Sequence, residues 1–125
     1  MFAKFTHVNI HPYLQEAELL QLMKNVDASL NIFDDTIGSN VITTSMACGL
    51  PLVASDVGSI RDYADDCCAI FCRNEAAEFI DALNKLERDR KLVHSKSNRA
   101  VTKAENYLLK NSLVFLKNYF GLNLQ

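Results

Sequence analysis

The sequence predicts one α/β domain, spanning residues 1–125, with a mainly parallel sheet of about four strands. Short runs of β-branched, aromatic and other apolar residues alternate along the chain with longer amphipathic segments. This alternation is typical of parallel strands joined by helices that cover both faces of the sheet. The chain has 125 residues and is 49% hydrophobic, which suits one soluble domain with its own core.

The four strands are expected where short apolar runs end at turn residues, at residues 5–10, 26–33, 52–54 and 68–71. The first run ends at His11-Pro12. In the second, Ala28, Leu30 and Ile32 alternate and are expected to share one face of the sheet. The third follows Pro51, a residue tolerated near the start of a strand.

The helices are expected between these strands and after the last one, at residues 14–25, 39–48, 75–90, 91–100 and 107–120, with one helical turn at 60–64. Ser39 or Asn40 suits a helix start, and Gly49 suits a helix end. The segment 91–100 reads as a separate shorter helix or as a continuation of 75–90. Residues 107–120 carry a broad apolar side, and the domain is expected to close with a C-terminal helix within 101–125.

The segment 75–90 has the clearest helical pattern. Its apolar residues recur at intervals of three and four, which builds one stripe suited to packing on a sheet. The members of this stripe are Ala76, Phe79, Ile80, Leu83 and Leu86.

Charge and composition exclude several classes of function. The net charge of −2 gives no basic surface for nucleic acid or for an anionic membrane. No apolar run reaches the roughly 18 residues of a membrane span. The first residues also lack the apolar segment of a signal peptide, so a cytoplasmic protein is expected.

The four cysteines are expected to be buried thiols, because their spacing does not suit a closed zinc site. They are Cys48, Cys67, Cys68 and Cys72. Cys67 and Cys68 are adjacent, and no C-x-x-C pair occurs. The run CCAIFC is expected to be a buried strand, and no metal is expected.

The loop after the second strand is the first candidate for a ligand site. Ligands of parallel α/β sheets bind at the carboxyl ends of the strands. A helix that begins at Ser39 or Asn40 would turn its N-terminus, which favours phosphate, toward that edge. A plain helix cap explains the same residues. Asp34 and Asp35 are more typical of solvated loop residues than of contacts with a donor.

Several stretches resemble glycosyltransferases of the GT-B fold, in particular the family 4, group 1-like enzymes. The stretch SMACGLPLVASDVGSIRDY looks like the family segment EAMACGLPVVASDVGGIPE, and its core MACGLPLVASDVG is specific. VDASLNIF resembles the preceding family strand. CAIFCRNEAAEFIDALNKLERDRKL is similar to the closing strand and helix. The resemblance covers most of residues 8–100.

This resemblance implies a truncated, Rossmann-like three-layer C-terminal domain of a GT-B enzyme, the half that binds the donor. The implied ligand is a UDP-, GDP- or ADP-sugar, and the implied reaction is hexosyl transfer to a hydroxyl acceptor without a cofactor. The implied donor and phosphate contacts are Asp35, Thr36, Gly38, Ser39, Asn40 and Thr44. No catalytic residue is assigned.

The sequence also departs from the family pattern. Thr36 and Thr44 stand where the family has two glutamates, one for the donor sugar and one for the ribose. A threonine hydroxyl can bond a ribose, but it makes a weaker hydrogen bond than a carboxylate. Asp35 replaces the first acid if the loop shifts by one residue. A partly buried structural role for Thr44 stays open.

Two strand–helix units with the family's phosphate-gripping loop, and the acceptor-binding N-terminal domain, have no counterpart in the sequence. The partners expected are therefore a nucleotide-sugar, a missing N-terminal domain or another chain, and a second copy through an open sheet edge. The isolated chain is expected to be inactive. The alternative function is a non-catalytic interaction or self-association module derived from a glycosyltransferase.

Overall fold

The computed structural model describes residues 7–36, 40–106 and Gly121. In this part of the chain three parallel strands form one open sheet in the order β1-β2-β3, which confirms the α/β class. The strands are β1 (Ser29–Asn31), β2 (Leu52–Ser55) and β3 (Ala69–Cys72). The helices are α1 (Glu16–Lys24), α2 (Asn40–Ala47), α3 (Ile60–Tyr63), α4 (Ala76–Arg88) and α5 (Arg90–Glu105).

The central strand β2 separates two layers of core packing. Leu52 and Ala54 pack with residues of α2 and α5 on one face, among them Ile42, Met46 and Ala100. Val53 points to the other face and packs against α4. All four residues of β2 are buried, as expected for a strand covered on both faces. The predicted three-layer arrangement is thus confirmed.

Gly49 ends α2 and begins the short connection to β2. Gly49 has a φ of 74°, the left-handed conformation that ends a helix. It also lies against α5, because the Ser97 hydroxyl donates to the Gly49 carbonyl over 2.6 Å. The predicted end of α2 is confirmed, and α5 is the element that packs on it.

The segment 91–100 belongs to a separate helix, which is longer than predicted. Asp89 is non-helical and separates α4 from α5, and its carboxylate accepts a hydrogen bond from the Leu92 N–H over 3.0 Å. This cap starts a new helix at Arg90 and leaves α4 ending at Arg88. The α5 helix then continues to Glu105 because Ala100 and Ala104 pack on the core beside α2.

The predicted first strand is wrong for the residues that the structure describes. Residues 8–10 lie outside any strand, and residues 5 and 6 fall outside the described part. Strand propensity is expressed only where a neighbouring strand accepts the backbone hydrogen bonds. In the described chain β1 pairs with β2, and Ile10 stays largely exposed. The sheet therefore has three described strands instead of about four.

Two predicted apolar faces are less buried than expected. The alternation of Leu30 and Ile32 is correct, yet both side chains are exposed. In α4, Phe79 and Leu86 are buried, whereas Ile80 and Leu83 of the same predicted stripe are exposed. The reason is that α4 covers β2 and β3 and leaves the β1 side of the sheet without a described neighbour.

The last predicted helix lies outside the described residues. Residues 101–105 form the end of α5, and residues 107–120 cannot be compared with the prediction. Among the remaining elements, α1 lies within residues 14–25, α3 is a single turn, and β3 begins one residue later than expected. The strand expected at residues 26–33 is shorter than predicted, because β1 covers only Ser29–Asn31.

Candidate functional site

The carboxyl ends of the three strands converge because the strands are parallel. The register aligns Asn31 of β1 with Ala54 of β2, and Ala54 with Phe71 of β3. The segments that follow the three strands therefore share one edge of the sheet, which we call the carboxyl edge: residues 32–36, 56–59 and 73–75. Candidate ligand contacts in a parallel sheet belong at this edge.

A ring of hydrogen bonds ties the ends of the strands together at the carboxyl edge. The buried Ser55 hydroxyl accepts from the Phe33 N–H over 2.9 Å and donates to the Asn74 side-chain oxygen over 2.5 Å. The Asn74 amide donates back to the Phe33 carbonyl over 2.8 Å. These three bonds fix the direction in which the chain leaves β1.

The loop with Asp35 and Thr36 is held against the turn that follows β2. The Ser59 N–H donates to the Thr36 carbonyl over 2.9 Å, and the Asp35 carboxylate accepts from the Thr36 N–H over 2.8 Å. Gly58 has a φ of 56°, and a Cβ on it would collide with the Thr36 carbonyl oxygen. Only a glycine allows this close approach.

The helix α2 begins at the carboxyl edge. Its direction follows from the Ser45 hydroxyl, which donates to the Ser29 hydroxyl at the start of β1 over 2.9 Å. The C-terminal half of α2 thus lies beside the start of β1, and the helix runs antiparallel to the strands with Asn40 toward the carboxyl edge. Asn40 is exposed, whereas Gly38 and Ser39 lie outside the described residues.

Asn40 and Thr44 stand one turn apart on α2 and line a groove between α1 and α2. The groove has a volume of about 250 Å³ and mainly apolar walls. Its lining residues are Leu19, Met23, Ser29, Asn40, Val41, Thr44 and Ser45. Thr44 is half-buried and lines this cavity together with Leu19 and Met23.

The structure thus brings the predicted residues together in two pairs. Asp35 and Thr36 lie in the loop that Gly58 and Ser59 hold, and Asn40 and Thr44 line the α1/α2 groove. Ser55 and Asn74, which fix the loop, were missed by the sequence reasoning. The signal for both was available, because each follows a predicted strand and strand ends converge.

Two arginines at the carboxyl edge are each paired with carboxylates. The Arg61 Nε donates to Asp56 over 2.7 Å, and its guanidinium lies 4.0 Å from the centroid of the Phe71 ring. The hydrogen bond from Arg61 lowers the pKa of Asp56. Arg73 bonds Glu78 over 2.6 Å in the same way, and this bond lowers the pKa of Glu78.

The cysteines are free thiols, and two of them depart from the expectation of burial, since Cys67 is exposed and Cys48 is only half-buried. Cys68 and Cys72 are buried, and their burial raises the pKa of each thiol. Cys67 is exposed because it occupies the turn before β3, where its N–H bonds the Asp65 carboxylate over 3.0 Å. Among the described residues, no group of three or more His, Cys, Asp or Glu side chains is arranged to hold a metal ion.

Over the described ranges, none of the helices combines the length and the apolar character required to cross a bilayer.

Comparison with known proteins gives one family. A family model described as glycosyl transferases group 1 matches residues 2–89, well over half of the chain. The match contains both the loop with Asp35 and Thr36 and the whole of α2. A search of the curated proteins found no match.

Proposed function

This chain belongs to the group 1 glycosyltransferases, and we propose that it forms the part of such an enzyme that binds a nucleotide-sugar donor. The observation that carries the proposal is the direction of α2. Its first residue, Asn40, lies at the carboxyl edge, beside the loop of Asp35 and Thr36. Helix N-termini favour phosphate through their backbone N–H groups and their positive dipole end.

In this proposal the diphosphate of a UDP-, GDP- or ADP-sugar lies at the start of α2, in contact with the segment 38–40. Thr44 lies one turn further along the helix and contacts the ribose with its hydroxyl. Asp35 and Thr36, held by Gly58 and Ser59, face the sugar. The two pairs of residues thus serve the two ends of one extended ligand.

Transfer breaks the bond between the sugar and the diphosphate and forms a bond between the sugar and an acceptor hydroxyl, which loses its proton. The proposal assigns the described residues to donor binding, without a cofactor. Acceptor binding requires the further domain that the resemblance implies. We therefore propose that the isolated chain binds the donor weakly and transfers no sugar.

The threonine at position 44 provides the sharpest test. We expect Thr44→Glu to raise affinity for the donor about fivefold, because a charged acceptor makes a hydrogen bond about twice as strong as a neutral one. Isothermal titration with UDP-, GDP- and ADP-sugars measures the change. The control is Thr102→Glu on the exposed side of α5, where no change is expected. Equal affinities for both variants and the wild type would contradict the ribose contact.

A second candidate function is a non-catalytic module that associates with another chain or with a second copy. The observation that favours it is the open side of the sheet, where Leu30 and Ile32 of the β1 segment are exposed. Exposed apolar groups beside an unpaired strand edge are typical of interaction surfaces. Donor titration distinguishes the two functions, because a module of this kind gives no saturable binding of any nucleotide-sugar.

A further inference from the structure

The edge of β1 that faces away from β2 is the open edge of the sheet, and its pattern of backbone groups suits pairing with a second copy. In the described residues no strand pairs with this edge. The Ser29 N–H donates to the Pro51 carbonyl, so odd-numbered residues bond toward β2. Because bonding direction alternates along a strand, the backbone N–H and carbonyl of Leu30, the middle residue of β1, point to the open edge. Ala28 and Ile32 flank β1 at the next even-numbered positions.

The side chains at this edge are apolar and exposed. Leu30 is 49% exposed, and Ile32, which directly follows β1, is 59% exposed. Leu30 is in register with Val53 and therefore lies on the sheet face that α4 covers further along. Two residues of α4 extend the same patch, Leu83 at 38% and Ile80 at 56% exposure. Leu83 shares a cavity with Ala28, and Ile80 lies one helical turn away on the same side. We call Leu30, Ile32, Ile80 and Leu83 the edge patch.

The opposite side of the molecule has a different character. The side of α4 that faces β3 carries charged residues, with Glu78, Asp81 and Lys85 around one cavity. On β3 itself, Phe71 is covered by the Arg61 guanidinium. Natural proteins protect exposed strand edges with charged side chains, prolines or bulges. Residues 28–33, ASLNIF, contain no charge and no proline, so the β1 edge lacks this protection.

We propose that two copies of this chain associate through their β1 edges, in antiparallel register centred on Leu30. A two-fold axis at Leu30 pairs Leu30 with the partner's Leu30, and it pairs Ala28 with the partner's Ile32. In this register the outward backbone groups of both strands bond each other, which joins the three described strands of each copy into one continuous sheet. The exposed side chains then become cross-strand neighbours on one face, flanked by Ile80 and Leu83 of both copies.

Charge at the two ends of the strand supports this register. Arg90 lies 3.4 Å from Asp27 at the start of β1, and both side chains are well exposed. Asp34 follows β1 at its other end. Antiparallel pairing brings the partner's Asp34 beside Val26 and Asp27, so the Arg90 guanidinium contacts a carboxylate from each copy. At each end of the paired strands, the positive charge of Arg90 thus offsets the negative charges of Asp27 and of the partner's Asp34.

The first experiment is sedimentation equilibrium of the whole chain without nucleotide. We expect a reversible dimer that weakens as salt is raised, because the Arg90 contacts are exposed. Ile80→Lys and Leu30→Lys should each weaken dimerisation at least about tenfold, since each buries a charge without a partner. The matched control is Asp81→Lys on the far side of α4, which should leave the dimer unchanged. A monomer at every concentration, or a dimer insensitive to Ile80→Lys and Leu30→Lys, would overturn the proposal.

A second experiment tests the register through disulfide formation, in a Cys67→Ser background that removes the exposed thiol. Leu30→Cys should form an intermolecular disulfide, because the paired Cα atoms would lie about 5.5 Å apart. Ile32→Cys should not, because the two positions would be more than about 13 Å apart. Equal cross-linking of both variants would refute the register. The inference does not rest on donor binding, which can be measured separately on the monomeric Ile80→Lys variant.

Discussion

At the scale of single residues, Gly58 makes the loop of the candidate site possible. Its left-handed backbone and its contact with Thr36 both exclude a side chain. Ser59 then reaches the Thr36 carbonyl with its N–H. The position of Asp35 and Thr36 therefore depends on a glycine that lies 22 residues later than Thr36 in the sequence.

We expect Gly58→Ala to lower the free energy of unfolding by roughly 2–3 kcal/mol, because backbone strain adds to a steric conflict with Thr36. Urea unfolding measures the change. Gly121→Ala is the matched control, since Gly121 has a φ of 66° and a Cβ there would meet no atom within 4 Å. It therefore tests the cost of the left-handed backbone alone. Equal losses in the two variants would show that the Thr36 contact is not tight.

The pair of Asp56 and Arg61 predicts a pH dependence. Because Arg61 lowers the pKa of Asp56 in the folded state, the pair stabilises the fold above the unfolded pKa of about 4. This contribution is lost as the pH falls through the lower, folded-state pKa. The difference in unfolding free energy between wild type and Asp56→Asn should therefore be constant near neutral pH and shrink below about pH 4.

The control for this pH dependence is the same comparison in an Arg61→Met background, where the difference should vanish at every pH. Chemical unfolding across a series of pH values provides both measurements. A difference between wild type and Asp56→Asn that grows as the pH falls would contradict the assigned ion pair.

At the scale of elements, the ring of Phe33, Ser55 and Asn74 aligns the ends of the three strands. Ser55 is fully buried and uses its hydroxyl as both donor and acceptor. Asn74 bonds both other members of the ring. The ring thereby sets the exit of β1, on which the loop of Asp35 and Thr36 depends.

We expect Ser55→Ala to cost about 1–3 kcal/mol, because it leaves the Phe33 N–H without its partner. Asn74→Ala should cost a similar amount, and the double variant should cost less than the sum, since both break one network. Urea unfolding of the double-mutant cycle measures the coupling. Thr102→Val, which removes one exposed hydroxyl bond on α5, serves as control. Additive effects of the two substitutions would mean that the ring does not act as a unit.

At the scale of the whole molecule, the sequence predicted the elements better than their surroundings. The alternation of strands and helices was enough for the α/β class, and Gly49 correctly ended α2. The described part of the strand expected at residues 5–10 is not a strand, because pairing is a tertiary property that local composition does not contain. The exposure of Leu30 and Ile80 was missed for a related reason, since a periodic pattern shows which residues share a face but not what covers it.

The candidate site follows the same division. The proximity of residues close in sequence, such as Asp35 and Thr36 or Asn40 and Thr44, could be predicted from the loop and the helix start. The contact of Gly58 with the loop could not, because Gly58 follows α2 and β2 in the sequence and reaches Thr36 only once both have folded. Asn40 and Thr44 line the groove between α1 and α2, whereas Asp35 and Thr36 lie in the loop after β1. This separation also depends on packing, which the sequence pattern does not contain.

The most direct test of the central claim is amide chemical-shift mapping of the ¹⁵N-labelled chain during titration with a nucleotide-sugar and, separately, with inorganic pyrophosphate. We predict saturable shifts for both ligands at the start of α2 and in the loop of Asp35 and Thr36. The nucleotide-sugar should additionally shift residues around Thr44. Shifts that do not saturate, or that lie away from the carboxyl edge, would contradict the donor-binding account.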